Sequence, residues 1–472
     1  MSMEIFKMME SAAFANPFSD ERVEIDREIV GAPEGADWDD MQGPLFQTLE
    51  KNIQALENIK TVIAVRDSDA DAQAVAASVL FYVYTQAQEK MDVLIEEQIA
   101  AGDESCTAPV AVQCLEKLLR FGFPQEEACR YVSIFYQTRR AYYFISKGLV
   151  GDSACMKRLR AQLWDNIFTH DISWYVRCLW NRMEDFSTLL LGETGTGKGA
   201  AAAAIGRSGY IPFNPNTQKF EQSFTRAFIS INLSQYPEAL IESELFGHRK
   251  GAFTGAIEKH DGLFARCSPH GAIFLDEIGD VAVPVQIKLL QVLQERTFSP
   301  VGCHDKLRFE GRVIAATNKS IDSLRREGKF RDDFYYRLCS DLITVPPLRQ
   351  RIRETPGELE KLAGHLMQRI CGPEWNFPMV GKIKESVGKN YAWPGNVREL
   401  EQAIRRVMLT GTYVGDTAAS TAKAPTEPGT MTAKELVENY CRELYETCEN
   451  YGEVARRTGL DWRTVKRHIG EG

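Results

Sequence analysis

The sequence predicts an α/β domain with a parallel sheet and helices on both faces, set between a mostly helical N-terminal domain and an all-α C-terminal domain. From about Leu149, short apolar segments alternate with segments of helical periodicity, which is typical of α/β proteins. Before that point, apolar residues recur at helical spacing, as at Leu45, Leu49 and Ile53. The chain becomes helical again after a segment rich in Ala, Thr, Pro and Gly. These observations predict about three domains, as the length of 472 residues also suggests.

Composition limits the classes of protein to which the chain can belong. Hydrophobic residues make up 44% and charged residues 26%, which is ordinary for a soluble globular protein. The net charge of −9 argues against a protein that coats nucleic acid through its overall charge. Any contact with DNA must therefore come from a local basic patch.

The sequence also predicts a cytoplasmic protein with no membrane partner. The eleven cysteines show no Cys-x-x-Cys spacing, which suits a reducing compartment. The N-terminus lacks the basic-then-apolar pattern of a signal peptide. The longest apolar run, 74–84, is interrupted by Ser78 and is too short to span a bilayer.

Residues 1–145 are expected to form a mostly helical regulatory domain behind a loose, acidic N-terminus. Segment 61–65 is apolar and is followed by Asp67, Asp69 and Asp71, like the first strand and acidic pocket of a phosphate-receiver domain. No later apolar strand ends in a phosphorylatable Asp or in a Lys, so an acidic turn between helices fits the sequence better. The input signal of this domain cannot be deduced from the residues.

The remaining boundaries follow from changes in pattern along the chain. We expect an α/β subdomain over 146–347 and a helical subdomain over 348–410. A linker is expected over 411–430, and a C-terminal helical domain over 431–472 that begins with a helix at 432–448.

A glycine-rich loop follows the apolar segment 187–191 and precedes an Ala-rich helix over 199–206. Strand, loop and helix in this order can bind phosphate, because backbone N–H groups surround it and the helix N-terminus adds positive potential. Lys198 is placed to reach the β- and γ-phosphate oxygens. A plain glycine-rich turn is the alternative. The predicted ATP-binding residues in this loop are Gly192, Glu193, Thr194, Gly195, Thr196, Gly197, Lys198 and Gly199.

Two acidic residues, Asp276 and Glu277, end the apolar strand at 271–275. In this arrangement Asp276 can hold Mg²⁺ and Glu277 can polarise the attacking water. An acidic strand end without chemistry is the alternative, and the phosphate-binding loop upstream counts against it. The usual Ser or Thr after the loop lysine is replaced by Gly199, so Mg²⁺ must rely on a carboxylate and water.

A second glycine-flanked loop places an aromatic side chain beside a hydroxyl, with only small residues around them. It consists of Gly251, Ala252, Phe253, Thr254, Gly255 and Ala256. Two glycines let the backbone turn sharply. In such a loop, Phe253 is either buried in the core of its own domain, as most phenylalanines are, or exposed for contact with another molecule.

The C-terminal segment has the spacing of a helix-turn-helix, with Ala455 in the first helix, Gly459 at the turn and Val465 in the second helix. The second helix carries residues suited to phosphates and base edges in the major groove. A small helical docking module is the alternative. The candidate DNA-binding residues are Arg463, Thr464, Lys466, Arg467 and His468.

Together these motifs resemble those of the sigma-54-dependent transcription activators, the NtrC-type bacterial enhancer-binding proteins, over roughly 147–412 and 432–470. Residues 251–256 resemble the sigma-54-contacting loop of that family. The resemblance implies an AAA+ ATPase domain with a helical lid, ATP and Mg²⁺ as cofactors, and a Fis-like DNA-binding domain. It also implies double-stranded DNA and the sigma-54 RNA polymerase holoenzyme as partners, and dimers that assemble into a ring, commonly a hexamer.

The same resemblance implies roles for five further residues. Asn318 matches a sensor of the γ-phosphate, Arg398 matches a second sensor from the lid, and Asn232 matches the asparagine that restrains the catalytic Glu277. Each of them can instead cap a turn or a helix. Arg331 and Arg337 resemble arginine fingers donated to a neighbouring subunit, with a solvated helical face as the alternative.

The family implied is one that uses ATP hydrolysis to convert the closed sigma-54 polymerase complex at a promoter into the open complex. The alternative is a DNA-binding regulator whose AAA+ domain is only a nucleotide-dependent assembly switch, without sigma-54. The intact loop at 251–256 counts against that alternative, because a switch does not need it.

Overall fold

A computed structural model describes residues 3–34, 36, 38–372, 379–387, 391–415, 437–438, 440–442, 444–445 and 450–469. The chain divides into two compact units, Met1–Val414 and Gly415–Gly472. The first unit contains the N-terminal helices, the α/β part and the helical subdomain.

The described N-terminal region consists of helices that share one apolar core. The longest, α5, has 32 residues and packs against α1, α3, α6 and α7. The expected loose N-terminus is wrong, because Phe6 and Met9 of the first helix are buried in this core. The helices are α1 (Met3–Phe14), α2 (Asp20–Val30), α3 (Trp38–Gln54), α4 (Ile59–Ala64), α5 (Ala70–Ala101), α6 (Pro109–Phe121) and α7 (Gln125–Gly148).

The acidic segment between α4 and α5 is a turn, as predicted. Segment 61–65 belongs mostly to α4 and does not form a strand. Asp69 caps α5, because its Oδ1 accepts hydrogen bonds from the N–H groups of Asp71 (2.8 Å) and Ala72 (3.1 Å). The aspartates therefore end one helix and begin the next, which excludes a phosphate-receiver fold here.

A five-stranded sheet forms the centre of the α/β part, and its strands lie in the order β4-β5-β8-β1-β9 with every neighbouring pair parallel. The predicted α/β class is confirmed. Two short antiparallel hairpins, β2–β3 and β6–β7, accompany the sheet. The strands are β1 (Thr188–Leu191), β2 (Phe213–Asn214), β3 (Lys219–Phe220), β4 (Phe228–Asn232), β5 (Ala272–Asp276), β6 (Thr297–Phe298), β7 (Leu307–Arg308), β8 (Arg312–Thr317) and β9 (Asp341–Thr344).

Helices cover both faces of the sheet, so the central strands are buried on both sides. All six residues of β8 are buried. Leu189 packs in the core on one face and Leu190 in the core on the other, as the alternation of a strand requires. The helices of this part are α8 (Ala154–Phe168), α9 (Ile172–Trp174), α10 (Lys198–Gly206), α11 (Phe224–Ala227), α12 (Glu238–Phe246), α13 (Leu263–Arg266), α14 (Val283–Glu295), α15 (Ile321–Arg326) and α16 (Asp332–Leu338).

The helical subdomain has its own core around Leu362, Leu400 and Ile404. Within this subdomain Arg351 and Glu358 form a buried ion pair, and the Arg351 guanidinium donates to the carbonyl oxygen of Val150 at the start of the α/β part. The Glu358 carboxylate also accepts a hydrogen bond from the N–H of Asp152 at 2.7 Å. The helices are α17 (Leu348–Glu354), α18 (Glu358–Cys371), α19 (Met379–Val387) and α20 (Asn396–Thr410).

The second unit contains the predicted helix-turn-helix as α21 (Tyr451–Thr458) and α22 (Trp462–Ile469). Gly459 takes the left-handed conformation (φ 69°) that ends α21. Val454 and Val465 form the small core between the two helices. Most of the predicted linker over 411–430 and most of the helix expected at 432–448 lie outside the described residues.

Within the described part of the chain, no helix is both long and apolar enough to cross a membrane.

The buried pair between Arg351 and Glu358 makes a testable contribution to stability. We predict that Glu358→Ala destabilises the first unit by about 3–5 kcal/mol, because the buried Arg351 guanidinium loses its counter-charge. Urea unfolding followed by circular dichroism measures the loss. Lys361→Ala is the control, since its ion pair with Asp152 is half exposed and is worth about 0–1 kcal/mol. Equal effects of the two substitutions would contradict the prediction.

Candidate nucleotide site and exposed loop

The glycine-rich loop runs from the end of β1 to the start of α10. Gly195 (φ 78°) and Gly197 (φ 109°) have left-handed backbone conformations that favour glycine. A side chain on Gly195 would also place its Cβ 2.3 Å from the carbonyl oxygen of Gly395. The loop therefore forms a close-fitting backbone cradle in front of the N-terminus of α10, which is the geometry of an anion site.

Lys198, the first residue of α10, lies across this loop. Its Nζ donates hydrogen bonds to the carbonyl oxygens of Gly192 (2.9 Å) and Glu193 (3.3 Å). Burial lowers the pKa of Lys198, while the carboxylates of Glu277 and Asp276 act to raise it. The loop thus contains a largely desolvated cation beside two acids.

Asp276 and Glu277 stand at the end of β5, between the ends of β4 and β8. The Asp276 carboxylate accepts a hydrogen bond from the N–H of Glu277 at 3.0 Å. Burial raises the pKa of Asp276, against the opposing effect of Lys198 and Arg398. Glu277 has a left-handed backbone conformation (φ 56°), which is uncommon for a residue other than glycine and clusters at functional sites.

Asn318, just after β8, connects the loop with the acidic pair. Its side-chain amide donates to Thr194 Oγ1 at 2.8 Å, and its backbone N–H donates to Glu277 Oε2 at 3.3 Å. A group placed between the loop and Glu277 would therefore lie next to Asn318.

Asn232 does not contact Glu277, the residue that the resemblance implies it restrains. Its amide donates to Asp276 at 3.5 Å, and its Oδ1 accepts hydrogen bonds from the N–H (3.0 Å) and hydroxyl (2.7 Å) of Ser234. Among the described residues, no hydrogen bond joins Asn232 to Glu277. In this conformation Asn232 caps the short 3₁₀ helix Leu233–Gln235 and touches the acidic pair through Asp276 only.

The helical subdomain contacts the loop directly, through residues that the sequence did not single out. Both oxygens of Glu193 accept hydrogen bonds from the Arg349 guanidinium, which holds the pKa of that carboxyl below its usual range. The Asn396 amide donates to Thr194 O at 3.1 Å, and the N–H of Val397 donates to Gly195 O at 3.0 Å. No sequence spacing marks Arg349, because α17 carries three arginines, at 349, 351 and 353, and nothing in the local pattern selects one of them.

Arg398, on the first turn of α20, is exposed and has its Cβ next to Gly195. Burial is the main cause of the lowered pKa of Lys198 and of the raised pKa of Asp276, and the charge of Arg398 acts in the lowering direction on both groups. The structure therefore brings Arg398 to the nucleotide side of the subdomain.

The donor set fits Mg²⁺ only when phosphate oxygens complete it. The described residues contain no group of three or more His, Cys, Asp or Glu that could hold a metal by themselves. Asp276 supplies a half-buried carboxylate beside the loop, and Gly199 adds no side-chain oxygen. One or two carboxylates with substrate phosphates and water form the usual Mg²⁺ site of nucleotide enzymes.

Arg331 and Arg337 lie on or beside α16 and do not contact the glycine-rich loop of their own chain. Arg331 forms a bidentate ion pair with Asp333, and Arg337 Nε donates to the carbonyl oxygen of Leu293 at 2.9 Å. Among the described residues, neither arginine hydrogen-bonds to residues 192–199. The structure thus separates this pair from the other predicted nucleotide residues.

The loop at 251–256 is a compact turn at the surface of the α/β part. Gly251 N–H donates to Ala256 O at 2.8 Å, and His248 and His260 exchange two hydrogen bonds of 3.0 Å at the base of the loop. Thr254 is exposed, and the Phe253 side chain is 39% exposed. The Phe253 ring meets His248 edge to face, with ring centres 5.0 Å apart, and belongs to none of the buried cores.

The basic residues of α22 differ in exposure. Arg463, Lys466 and Arg467 are exposed, whereas Thr464 and His468 are half-buried. His468 Nδ1 lies 3.5 Å from a carboxylate oxygen of Glu438, so this histidine does not share the open surface of the three cations.

Comparison with known families matches both parts of the candidate ATPase. Residues 177–344 match the family described as the Sigma-54 interaction domain, and residues 353–419 match the AAA+ ATPase lid domain. The two matches cover the nucleotide site, the exposed loop and the helical subdomain.

Among curated proteins, the chain is similar to the transcriptional regulatory protein ZraR of Klebsiella oxytoca. The two are 36% identical over 334 residues, which is 67% of each chain. It is 42% identical over 224 residues to the hydrogenase transcriptional regulatory protein HoxA of Cupriavidus necator, covering 48% of this chain and 43% of HoxA. It is 41% identical over 226 residues to the nitrogen fixation protein VnfA of Azotobacter vinelandii, covering 47% of this chain and 40% of VnfA. The chain thus spans less than half the length of the last two relatives.

The ion pair between Glu193 and Arg349 predicts a measurable coupling between the helical subdomain and the loop. We expect Glu193→Gln or Arg349→Met to weaken binding of a fluorescent ATP analogue by about two- to fivefold, since partly exposed pairs are worth at most about 1 kcal/mol. Arg353→Met, on the exposed side of the same helix, is the control.

The same pair predicts a pH dependence. Because the pKa of Glu193 is lowered, the link is intact above the ordinary glutamate pKa of about 4.3 and is lost only as the pH falls through the lowered value. An affinity difference between wild type and Glu193→Gln that disappears already near neutral pH would contradict this assignment.

Proposed function

This chain belongs to the sigma-54-dependent transcription activators, the NtrC-type regulators, and we propose from that premise that it activates transcription by ATP-driven remodelling of the sigma-54 RNA polymerase holoenzyme. It would bind double-stranded DNA upstream of the promoter, oligomerise, and convert the closed polymerase complex to the open complex. The observation that carries this proposal is the exposed Phe253–Thr254 loop on the same domain as the nucleotide site. An ATPase that only folded or assembled would not need such a loop.

Each residue of the nucleotide site has a part in hydrolysis. The loop N–H groups and Lys198 bind and orient the phosphates of ATP, and the buried Lys198 offsets negative charge that develops on them. Glu277 polarises the attacking water, and Asn318 lies where it can sense the γ-phosphate and report to Glu277. Bound with the nucleotide through Asp276, Mg²⁺ would neutralise charge on the phosphate oxygens.

The catalytic site is completed by a neighbouring subunit in this proposal. Arg331 and Arg337 lie away from the loop of their own chain, and Arg337 is exposed. Arginines of this kind stabilise transition-state charge on a neighbour's γ-phosphate. Their position supports assembly into a ring, commonly a hexamer in the family, from DNA-bound dimers.

Recognition of DNA is assigned to the second unit. Arg463, Lys466 and Arg467 form an exposed basic face on α22, which suits the major groove in a helix-turn-helix. The net charge of −9 leaves this local face, rather than the whole molecule, to make the contact. Thr464 would add a polar contact at its edge, and His468 belongs to the inner side of the helix.

A DNA-binding regulator with an AAA+ assembly switch and no sigma-54 partner is the second candidate. The burial of Lys198 beside Asp276 and Glu277 is compatible with both functions, since a switch also binds nucleotide. The two functions differ in their need for the loop at 251–256 and in their need for turnover at a sigma-54 promoter.

The first test separates nucleotide binding from hydrolysis. Lys198→Ala should abolish ATP binding, because the phosphates lose their cation, and Glu277→Gln should keep binding but lose hydrolysis, because the water loses its base. Both should fail to form open complexes at a promoter with sigma-54-type GG and GC elements. Glu327→Gln, at an exposed site, is the control. Undiminished ATP turnover in Glu277→Gln would contradict the catalytic role of Glu277. Open complexes formed without ATP turnover would favour the second candidate, the nucleotide-dependent assembly switch.

The second test concerns the two arginines. Arg331→Ala and Arg337→Ala should each reduce ATP turnover by a factor on the order of 10³ while leaving nucleotide affinity nearly unchanged. Mixing either variant with Lys198→Ala should restore part of the activity, since an intact site then forms between unlike subunits. Arg326→Ala, an exposed arginine on α15, is the matched control. Absence of recovery at every mixing ratio, with subunit exchange verified, would show that the arginines do not act across subunits.

A further inference from the structure

A cavity of about 880 Å³ lies where the N-terminal helices meet the start of the α/β part. Its lining residues come mainly from α1, α2, α5, α7 and α8, with single residues from α3, α9 and α18, and none of the nucleotide-site residues belongs to it. A volume of this size is within the range of small-molecule sites, which occur preferentially where domains meet.

The walls of the cavity are mainly aromatic. Phe18 stacks on Tyr142 with ring centres 5.3 Å apart, and Trp164 meets Phe18 edge to face at 6.0 Å. Phe81 and Phe135 add further ring surface from α5 and α7. A flat ring system in the cavity would find offset-stacking and edge contacts on several sides.

Each of the four cations that line the cavity already has partners in the protein. Lys361 pairs with Asp152, and Arg160 donates hydrogen bonds to the carbonyl oxygens of Leu149 (2.9 Å) and Gly151 (2.7 Å). Arg22 forms an ion pair with Asp26 at 2.7 Å, and Arg139 forms a bidentate pair with Asp92. Burial raises the pKa of Tyr84 to about 12, so its hydroxyl stays protonated at neutral pH. Since the charges have partners and neutral side chains such as Gln88 and Thr138 complete the lining, the cavity suits an uncharged ligand that carries a hydroxyl or carbonyl group.

Helix α7 borders this cavity with one face and the nucleotide domain with the other. Phe135, Thr138 and Tyr142 line the cavity. On the opposite face, Gln137 Nε2 donates to Ser208 O at 2.8 Å. Ser208 lies two residues after the end of α10, the helix that begins with Lys198.

The Arg140 guanidinium strengthens this second contact. It is fully buried and donates to the carbonyl oxygens of Arg207 (2.5 Å) and Gly209 (2.7 Å). Burial lowers the pKa of Arg140 to about 10, so it remains charged at neutral pH. Within the described part of the chain, no carboxylate lies at ion-pair distance from it. Its two terminal nitrogens instead donate to carbonyl groups at the end of α10, where the helix dipole favours a cation.

We propose that the cavity binds an uncharged aromatic small molecule bearing a hydroxyl or carbonyl group, and that α7 transmits its binding to α10 through Arg140 and Gln137. Helix α7 carries both the side chains that line the cavity and the side chains that hydrogen-bond to the end of α10, so the two sets are separated by about one helical diameter. A shift of α7 on ligand binding therefore moves the end of the phosphate-loop helix. The binding half of this proposal is independent of the proposed function, and the transmission half rests on the proposed ATPase.

N-phenyl-1-naphthylamine, an uncharged aromatic fluorophore, tests the binding half on the full chain. Wild type should bind it saturably, and Ala13→Trp and Thr138→Trp, which fill the cavity from α1 and α7, should weaken binding by about tenfold or more. Val93→Trp, at an exposed position of α5, should bind as wild type does. Melting temperatures report whether each variant is folded.

Energy transfer gives a second measurement that needs no cavity-filling variant. Trp164 lines the cavity, so Trp164→Phe should reduce the tryptophan-excited emission of the bound fluorophore, whereas Trp174→Phe, on an exposed side chain, should not. No saturable binding in wild type, or equal binding and equal energy transfer in all the variants, would overturn the proposed site.

ATP turnover tests the transmission half. Saturating fluorophore should change the turnover of wild type by about twofold or more, and Arg140→Gln and Gln137→Leu should keep fluorophore binding but lose that change. Lys147→Gln, exposed on the same helix, should retain it. Wild type without any turnover would contradict the proposed ATPase, not this site. A bound fluorophore that leaves measurable turnover unchanged, or that acts equally on Arg140→Gln, would overturn the transmission.

Discussion

The parallel alignment of the five strands is the constraint on which the nucleotide site depends. Parallel strands have their carboxyl ends at one edge of the sheet, so residues that follow different strands meet there. The glycine-rich loop follows β1, Asp276 and Glu277 end β5, and Asn318 follows β8. These residues are far apart in sequence, and only the strand order β4-β5-β8-β1-β9 brings the cation of Lys198 within reach of both acids.

Helix α10 connects the nucleotide site at this edge of the sheet with the helical subdomain and with the N-terminal helices. Its N-terminal end carries the loop, which the helical subdomain contacts through Arg349, Asn396 and Val397. Its C-terminal end is held by Arg140 and Gln137 of α7. The nucleotide loop is therefore positioned between two helical parts of the chain, each of which can alter it without touching the nucleotide. This arrangement gives an N-terminal domain a physical route to an ATPase.

Much of this architecture could be predicted from the sequence, because the signals were local. Apolar runs mark the buried strands that lead to Gly192, Asp276 and Asn318, and a glycine marks the turn at Gly459. The helical packing of the first sixty residues was missed, because an acidic composition hides the few apolar residues, such as Phe6 and Met9, that the core needs.

Contacts between distant segments could not be predicted. The pairing of Glu193 with Arg349, and of Arg140 with the end of α10, depends on how separate helices pack, and nothing in the local spacing selects one arginine among many. The side-chain conformation of Asn232, which contacts Ser234 and Asp276, cannot be read from a single sequence. The roles of Asn232, Arg331, Arg337 and Arg398 in catalysis stay predictions.

The central claim is that the loop at 251–256 acts on a partner and not on its own domain. The most direct measurement is capture of sigma-54 in the presence of ADP–aluminium fluoride, made on Phe253→Ala and Thr254→Ala together with ATP turnover and melting temperature. Ile257→Ala, with a 77% exposed side chain just outside the loop, is the control. The account predicts near-normal turnover and stability with loss of capture in both loop variants only. A Phe253→Ala protein that is destabilised by about 3–5 kcal/mol, as for a buried phenylalanine, yet still captures sigma-54, would contradict it.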